Sequence, residues 1–194
     1  MRHTAPPSLL RAAALVMATA LGHAAAAPAV YVFDPEHSFV HFEVTHFGTS
    51  TSRGRFGPVT GEVMLDRALG TGEVGVRIVT ASVDTGLAVF NARLRQGDLL
   101  ASSEFPEAFF VARQFQIEGD RLSDLRGEFT IRGISQPLLL RTRLFGCRTE
   151  SGTEVCGGDF EGEIKRSDFG ATFLLPLVGD RVRLLVQVEG RRKP

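Results

Sequence analysis

The chain has no surplus of either charge: 22 Lys and Arg stand against 22 Asp and Glu, and only Lys165 and Lys193 are lysines. The basic residues never form the dense run that phosphate tracking needs, so nucleic acid is not an expected partner. Cysteine is scarce as well, limited to Cys147 and Cys156. Without a second pair there is no zinc site of the structural kind, and their separation is too wide for a CxxC redox motif. No GxSxG, HExxH, phosphate loop or dinucleotide fingerprint is present, so no enzyme class is indicated by motif. What remains is 194 residues at 43% hydrophobic and 23% charged. Such a chain buries a core of its own in one domain or at most two, and disorder is excluded as a description of the whole.

The first acidic residue is Asp34. Before it come Arg2, His3 and Arg11, an uncharged run from Ala12 to Leu21, and four alanines from Ala24 to Ala27. This order reads as a secretory signal, because the apolar run falls well short of the roughly 20 residues that a membrane-spanning helix requires. Cleavage after Ala26 is the expectation, with Ala29 as second choice, so residues 1–26 are assigned to the signal and 30–190 to the folded domain. No Cys lies near either site, so a lipid-anchored form is not indicated. Removing Arg2 and Arg11 leaves the mature chain slightly acidic. Export also gives the cysteines a meaning. In an oxidising compartment, two cysteines flanking a polar stretch with Gly152 read as one bridge, Cys147–Cys156, closing a hairpin.

From Tyr31 onward, apolar residues alternate with polar ones in run after run, punctuated by Gly, Pro, Asp and Ser. Val40, Phe42, Val44 and His46 share one parity. So do Val59, Gly61, Val63 and Leu65; Val74, Val76 and Ile78; Leu125, Gly127, Phe129 and Ile131; Leu138, Leu140 and Leu144; Phe160, Gly162 and Ile164; and Val182, Leu184, Val186 and Val188. Phe109 to Ile117 is strand-like but ambiguous in phase, since Phe109, Phe110 and Phe115 do not agree. Leu87, Phe90 and Leu94 recur at helical spacing before Gly97, which marks one short helix. About eight strands with one dry face each predict an all-β fold, a closed eight-stranded antiparallel barrel with one helix, whose interior is filled or holds a ligand. Gly61, Gly127 and Gly162 fall on the inward parity. They either relieve crowding or leave space for a cavity.

Several motifs then occur in a recognisable order. Asp34-Pro35-Glu36-His37-Ser38 leads into Val40-His41-Phe42-Glu43-Val44-Thr45-His46. Leu94-Arg95 with Asp98-Leu99, Phe105-Pro106 with Phe110, Gly127 to Ile134 with Pro137, Gly158-Asp159-Phe160, and Ile164 to Gly170 follow. The series resembles the YceI-like family of bacterial periplasmic proteins over roughly Tyr31 to Glu189. That resemblance implies a lipocalin-like barrel whose tunnel holds a polyisoprenoid or isoprenoid quinone, dimerisation in some members, and links to stress. Arg93 and Leu99 depart from the residues many relatives carry, His and Phe. Contact with the membrane is expected to be transient at most.

The candidate tunnel lining is the inward parity: Val40, Phe42, Val44, His46, Val63, Val76, Ile78, Phe129, Ile131, Leu138, Leu140, Phe160, Ile164, Leu184 and Val186. No catalytic residue, metal or resident cofactor is assigned. His37, His41 and His46 lie close in sequence, but His46 has the opposite strand parity to the other two, which argues against a shared metal. His46 is either a satisfied rim histidine or a hydrogen-bonding partner for a ligand head group. Adjacent strand residues point to opposite faces, so His37 and Ser38 cannot form a base–nucleophile pair. Arg166, Ser167 and Asp168 read as a turn fastened by an Arg–Asp pair, or as a mouth that receives a polar head group. Two rivals to a lipid carrier remain, a barrel enzyme using His46 or the Arg166–Asp168 cluster, and a filled-barrel interaction module.

Overall fold

The structure is a computed structural model that describes residues 27–194; the expected signal, 1–26, lies outside the described residues. Eleven strands follow in order: β1 (Ala29–Phe33), β2 (Phe39–His46), β3 (Ser50–Phe56), β4 (Thr60–Asp66), β5 (Thr71–Val79), β6 (Glu107–Glu118), β7 (Arg121–Leu122), β8 (Leu125–Ile131), β9 (Ile134–Glu150), β10 (Thr153–Lys165) and β11 (Val178–Arg192). Among the described residues one α-helix, α1 (Ala88–Leu94), lies between β5 and β6, and short 3-10 turns occupy Thr80–Ser82 and Arg166–Phe169.

β11 is long enough to pair with β2 through Val178–Gln187 and with β1 through Gly190–Arg192. β1 and β2 therefore act as one strand broken at Asp34–Ser38. β3 and β4 likewise run antiparallel to β2 and β1 on either side of a break at residues 57–59. With those two composite strands counted once each, the meander closes as an eight-stranded antiparallel barrel, the architecture expected from the alternating runs.

The two ends of this barrel are built differently. Short connections at 67–70, 119–124 and 151–152 join the strands at one end. At the other end the β5–β6 connection occupies 80–106 and the β10–β11 connection 166–177. Among the described residues β3 has no strand on its outer edge there, only an isolated bridge from Arg55 to Asp84. The wall between β3 and β5 is completed by the 80–106 segment instead.

Bulges explain the strands whose phase the sequence left ambiguous or misassigned. In β6, Ala108, Phe110 and Ala112 are buried, then a register shift and a left-handed backbone at Gln114 (φ 59°) move the buried set to Phe115 and Ile117. The three phenylalanines disagree in parity because an extra residue stands between them, and Phe109 faces outward. In β9 the register slips opposite Asp159/Phe160. Leu138 and Leu140 point inward, but Leu144 is 63% exposed, and Phe145 takes its place against the core. The inward assignment of Leu144 is thus corrected.

The inward glycines prove to be contact points. A Cβ on Gly61 would collide with the Gly75 carbonyl oxygen and lie 2.9 Å from the Phe33 ring. One on Gly127 would collide with the Val111 carbonyl oxygen and lie 2.7 Å from the Phe110 ring, and one on Gly162 would meet Leu140 at 2.8 Å. Aromatic rings and leucines occupy the room these residues free. Their role is close packing, and they do not supply the cavity.

Candidate ligand cavity

The end with short connections is packed. It holds a residual space of about 60 Å³ among Tyr31, Phe33, Phe110, Phe115, Phe145 and Phe160 and their neighbours. Tyr31 is 1% exposed, and its hydroxyl donates to Glu154 Oε2 at 2.8 Å. Burial first, and that acidic partner second, raise the phenol above its ordinary pKa. Cys147 and Cys156, directly opposite on β9 and β10, form the expected disulfide. Arg67 Nη2 lies 3.2 Å from Cys147 Sγ and donates to Glu154 Oε1 at 2.9 Å, so the bridge sits under a guanidinium already paired with a carboxylate.

The end with long connections is hollow, with a cavity of about 400 Å³. That volume falls in the range of roughly 300–1,000 Å³ found for small-molecule sites. Its strand-borne wall consists of Val40, Phe42, Val44 and His46 from β2, Ser52 and Phe56 from β3, Ile78 from β5, Ala108 from β6, Phe129 and Ile131 from β8, Ile164 from β10, and Val178, Val182 and Leu184 from β11. Consecutive inward residues separate the two spaces. Val76 and Ile78 on β5, Phe110 and Ala108 on β6, and Val186 and Leu184 on β11 each pass from the small cavity to the large one in a single step.

The residues assigned from parity therefore divide. Val40, Phe42, Val44, His46, Ile78, Phe129, Ile131, Ile164 and Leu184 line the large cavity. Val63, Val76, Leu140, Phe160 and Val186 line the small one, and Leu138 is buried against the Gly162 backbone without lining either. In place of one tunnel along the barrel, the structure has two spaces in series.

Parity did not reveal the remaining wall, which comes from the connections. α1 contributes Phe90, Arg93 and Leu94, followed by Leu99 and Leu100, while the β10–β11 connection contributes Phe169, Ala171, Phe173 and Leu174. The helical spacing pointed to Phe90 and Leu94. Leu87, the third member of that stripe, is 65% exposed, because it is the extended residue preceding the helix and leaves the helical face. Leu99, Phe173 and Leu174 carry no periodicity that a sequence pattern can detect.

Two arginines fasten these connections to the barrel. Arg132, in the β8–β9 turn, donates from Nε to the Phe169 carbonyl at 2.9 Å, and from Nη1 to the Gly97 and Leu99 carbonyls at 2.8 and 2.6 Å. A single side chain thereby ties the two long connections together. Arg166, 8% exposed, donates to the carbonyls of Gly179, Ala171 and Val178 at 2.8, 2.6 and 2.8 Å. Burial lowers its pKa from the ordinary guanidinium value, against the favourable charge of Asp180. The acid of this turn is Asp180, which accepts from the Ser167 backbone N–H at 2.9 Å and from its hydroxyl at 2.8 Å. An Arg166–Asp168 pair is not formed, which corrects that expectation. The neighbouring carboxylate is supplied from β11, out of reach of a local sequence reading. Arg93 forms a two-pronged pair with Asp98 at 2.7 Å and lies over the Phe173 ring at 4.0 Å.

His46 lines the cavity, whereas His37 pairs with Asp34 at 3.2 Å in the β1–β2 break. Ser38, beside it, shares a hydrogen bond with the Glu189 carbonyl at 3.3 Å. No Asp or Glu lines the large cavity among the described residues.

Comparison with known proteins matches this geometry to an existing group. The family description that matches is the YceI-like domain, over residues 31–190. Protein YceI of Salmonella arizonae is 35% identical over 169 residues, covering 85% of this chain and 88% of that protein, and YceI of Salmonella enteritidis matches equally. Among solved structures, the YceI protein of Campylobacter jejuni is 26% identical with a TM-score of 0.63, covering 77% of this chain and 90% of that one. A polyisoprenoid binding domain from Saccharophagus degradans shares the fold at 20% identity and a TM-score of 0.64, covering 84% and 98%. BcnA of Burkholderia cenocepacia does so at 22% and 0.64, covering 78% and 95%. With a family match over almost all of the barrel and relatives above 30% identity, the chain belongs to the YceI-like domain family.

Proposed function

We propose that this chain is an exported, periplasmic, non-enzymatic protein that holds a polyisoprenoid or isoprenoid-quinone-type lipid in the cavity at the hollow end of its barrel, for carriage, storage or stress response. The observation that carries this reading is the cavity itself: about 400 Å³ walled by Val, Ile, Leu and Phe inside a YceI-like barrel. A long uncharged chain suits such a wall, because each Å² of apolar surface it removes from water contributes about 25 cal/mol before the costs of ordering. The name of the Saccharophagus domain, which describes a polyisoprenoid binder, supports the ligand class. In this reading Val40, Phe42, Val44, Ile78, Phe129, Ile131, Ile164 and Leu184 hold the chain, and His46 stands at the end of β2 where a polar head emerges.

The test is purification from native cells, lipid extraction and mass spectrometry. An isoprenoid species recovered in proportion to protein is the expected result. An empty protein that also takes up neither quinone nor prenol overturns the proposal.

A further inference from the structure

The wall of the large cavity is selective in its charge. A chain with 22 acidic and 22 basic residues places three arginines and one histidine on this wall, and among the described residues no carboxylate. The three arginines are not equivalent. Arg93 is neutralised by Asp98. Among the described residues Arg132 and Arg166 hydrogen-bond only to backbone carbonyls; Asp180, whose donor Ser167 is neutral, keeps its charge and offsets Arg166, whereas Asp98 is held by Arg93. Arg132 uses Nε and Nη1 on the connections, while Nη2 has no hydrogen-bond partner among the described residues. Carbonyl dipoles satisfy donors without cancelling charge. The Arg132 charge therefore remains, with no hydrogen-bonded carboxylate among the described residues, against an apolar, low-dielectric space in which electrostatic terms are larger than in water.

This arrangement discriminates among head groups. An ammonium is repelled, and a hydroxyl or quinone carbonyl gains one ordinary hydrogen bond. An oxyanion gains a charge-assisted bond from Arg132 Nη2, which is roughly twice as strong as a neutral one. Resting on the reading that the cavity holds an apolar chain, we propose that its preferred ligand is an acidic amphiphile, whose carboxylate or phosphate head sits against Arg132 while the chain occupies the Val, Ile and Phe wall. Ser52 and His46, on the opposite wall, face the same space and supply further hydrogen-bonding groups to the head.

The experiment uses the intact mature protein and ligands that differ only at the head: farnesol, farnesyl monophosphate, farnesoic acid and farnesylamine, each competing with the neutral fluorescent probe N-phenyl-1-naphthylamine. The acid, the phosphate or both are expected to displace the probe at concentrations roughly tenfold or more below the alcohol, with the amine weakest. Whichever oxyanion wins identifies the head. Replacing Arg132 with Gln is expected to collapse that preference toward the alcohol, and the wild-type ranking stands as a test by itself if the variant does not fold. Equal displacement by all four ligands overturns the oxyanion proposal while leaving the lipid reading intact. Failure of the probe and every prenyl ligand to bind overturns both.

Discussion

The two ends of one barrel show how the same strands serve stability and binding. At the packed end the connections are short, the wall is all strand, phenylalanine rings lie over glycine backbones, and a disulfide joins β9 to β10. At the hollow end the strands continue with equally apolar inward residues, but two long connections replace part of the wall and arginines hold them by their carbonyls. The difference lies less in hydrophobicity than in what fills the centre. Rings reach across the packed end, while at the hollow end Phe42, Phe56 and Phe129 line the strand wall and the connections complete it, with the centre between them open. Interiors approach crystal-like packing unless something prevents it, and here the connections keep the space open.

Four changes would break or sharpen that contrast. The largest is at the packed end. Phe110→Ala removes a buried ring from above Gly127 and is expected to cost about 3–5 kcal/mol in denaturant unfolding. Because Phe110 and Ala108 are successive inward residues facing the two spaces, the same variant is expected to join them and admit longer prenyl chains. An unchanged chain-length limit would show that the two spaces are not separated at that layer.

Next comes the disulfide. Replacing Cys147 and Cys156 with Ala is expected to lower stability by about 2–3 kcal/mol while leaving prenyl affinity unchanged, since the bridge lies at the end away from the large cavity. A parallel loss of binding would mean that the ends are coupled.

The third change tests the fastening of the hollow end. Arg132→Met leaves the carbonyls of Gly97, Leu99 and Phe169 without their partner, a loss of about 1–3 kcal/mol. It is expected to appear as faster amide exchange in residues 97–101 and 169–171, with β9 and β10 near the disulfide still protected. Uniform acceleration across the barrel would argue against a separately fastened mouth.

The smallest effect is in pH. Burial alone would raise the Asp180 carboxyl, but the N–H and hydroxyl of Ser167 hold it below the ordinary aspartate value. A carboxyl lowered in the folded state contributes stability that is complete above its unfolded pKa, near about 3.9, and is lost as pH falls through the folded value. Acidification below about pH 4 is therefore expected to loosen the 166–180 segment, and Asp180→Asn to remove that pH dependence; exchange rates measured between pH 3 and 6 check both.

Much of the barrel was legible because period-two alternation is a direct consequence of strand geometry. The inward set on β2, β8 and β11 follows from counting alone. Counting failed at Leu144 and was undecided around Phe110 and Phe115, where one bulged residue resets the phase. It also assigned both ends to a single tunnel, since parity says which face a residue takes and nothing of how far its ring reaches. The loop-borne wall, from Leu99 to Leu174, and the Asp180 partner of Ser167 depend on contacts between distant segments. The glycines were visible, but their meaning depended on which rings lay above them.

The most direct measurement of where this protein binds lipid is photo-crosslinking with a diazirine-bearing prenol followed by peptide mapping. Labels are expected on peptides spanning 40–46, 90–100 and 164–174, with the region around Phe145 and Phe160 unlabelled. Labelling concentrated at Phe115, Phe145 and Phe160, or spread evenly over the outer surface, would contradict a cavity confined to the hollow end.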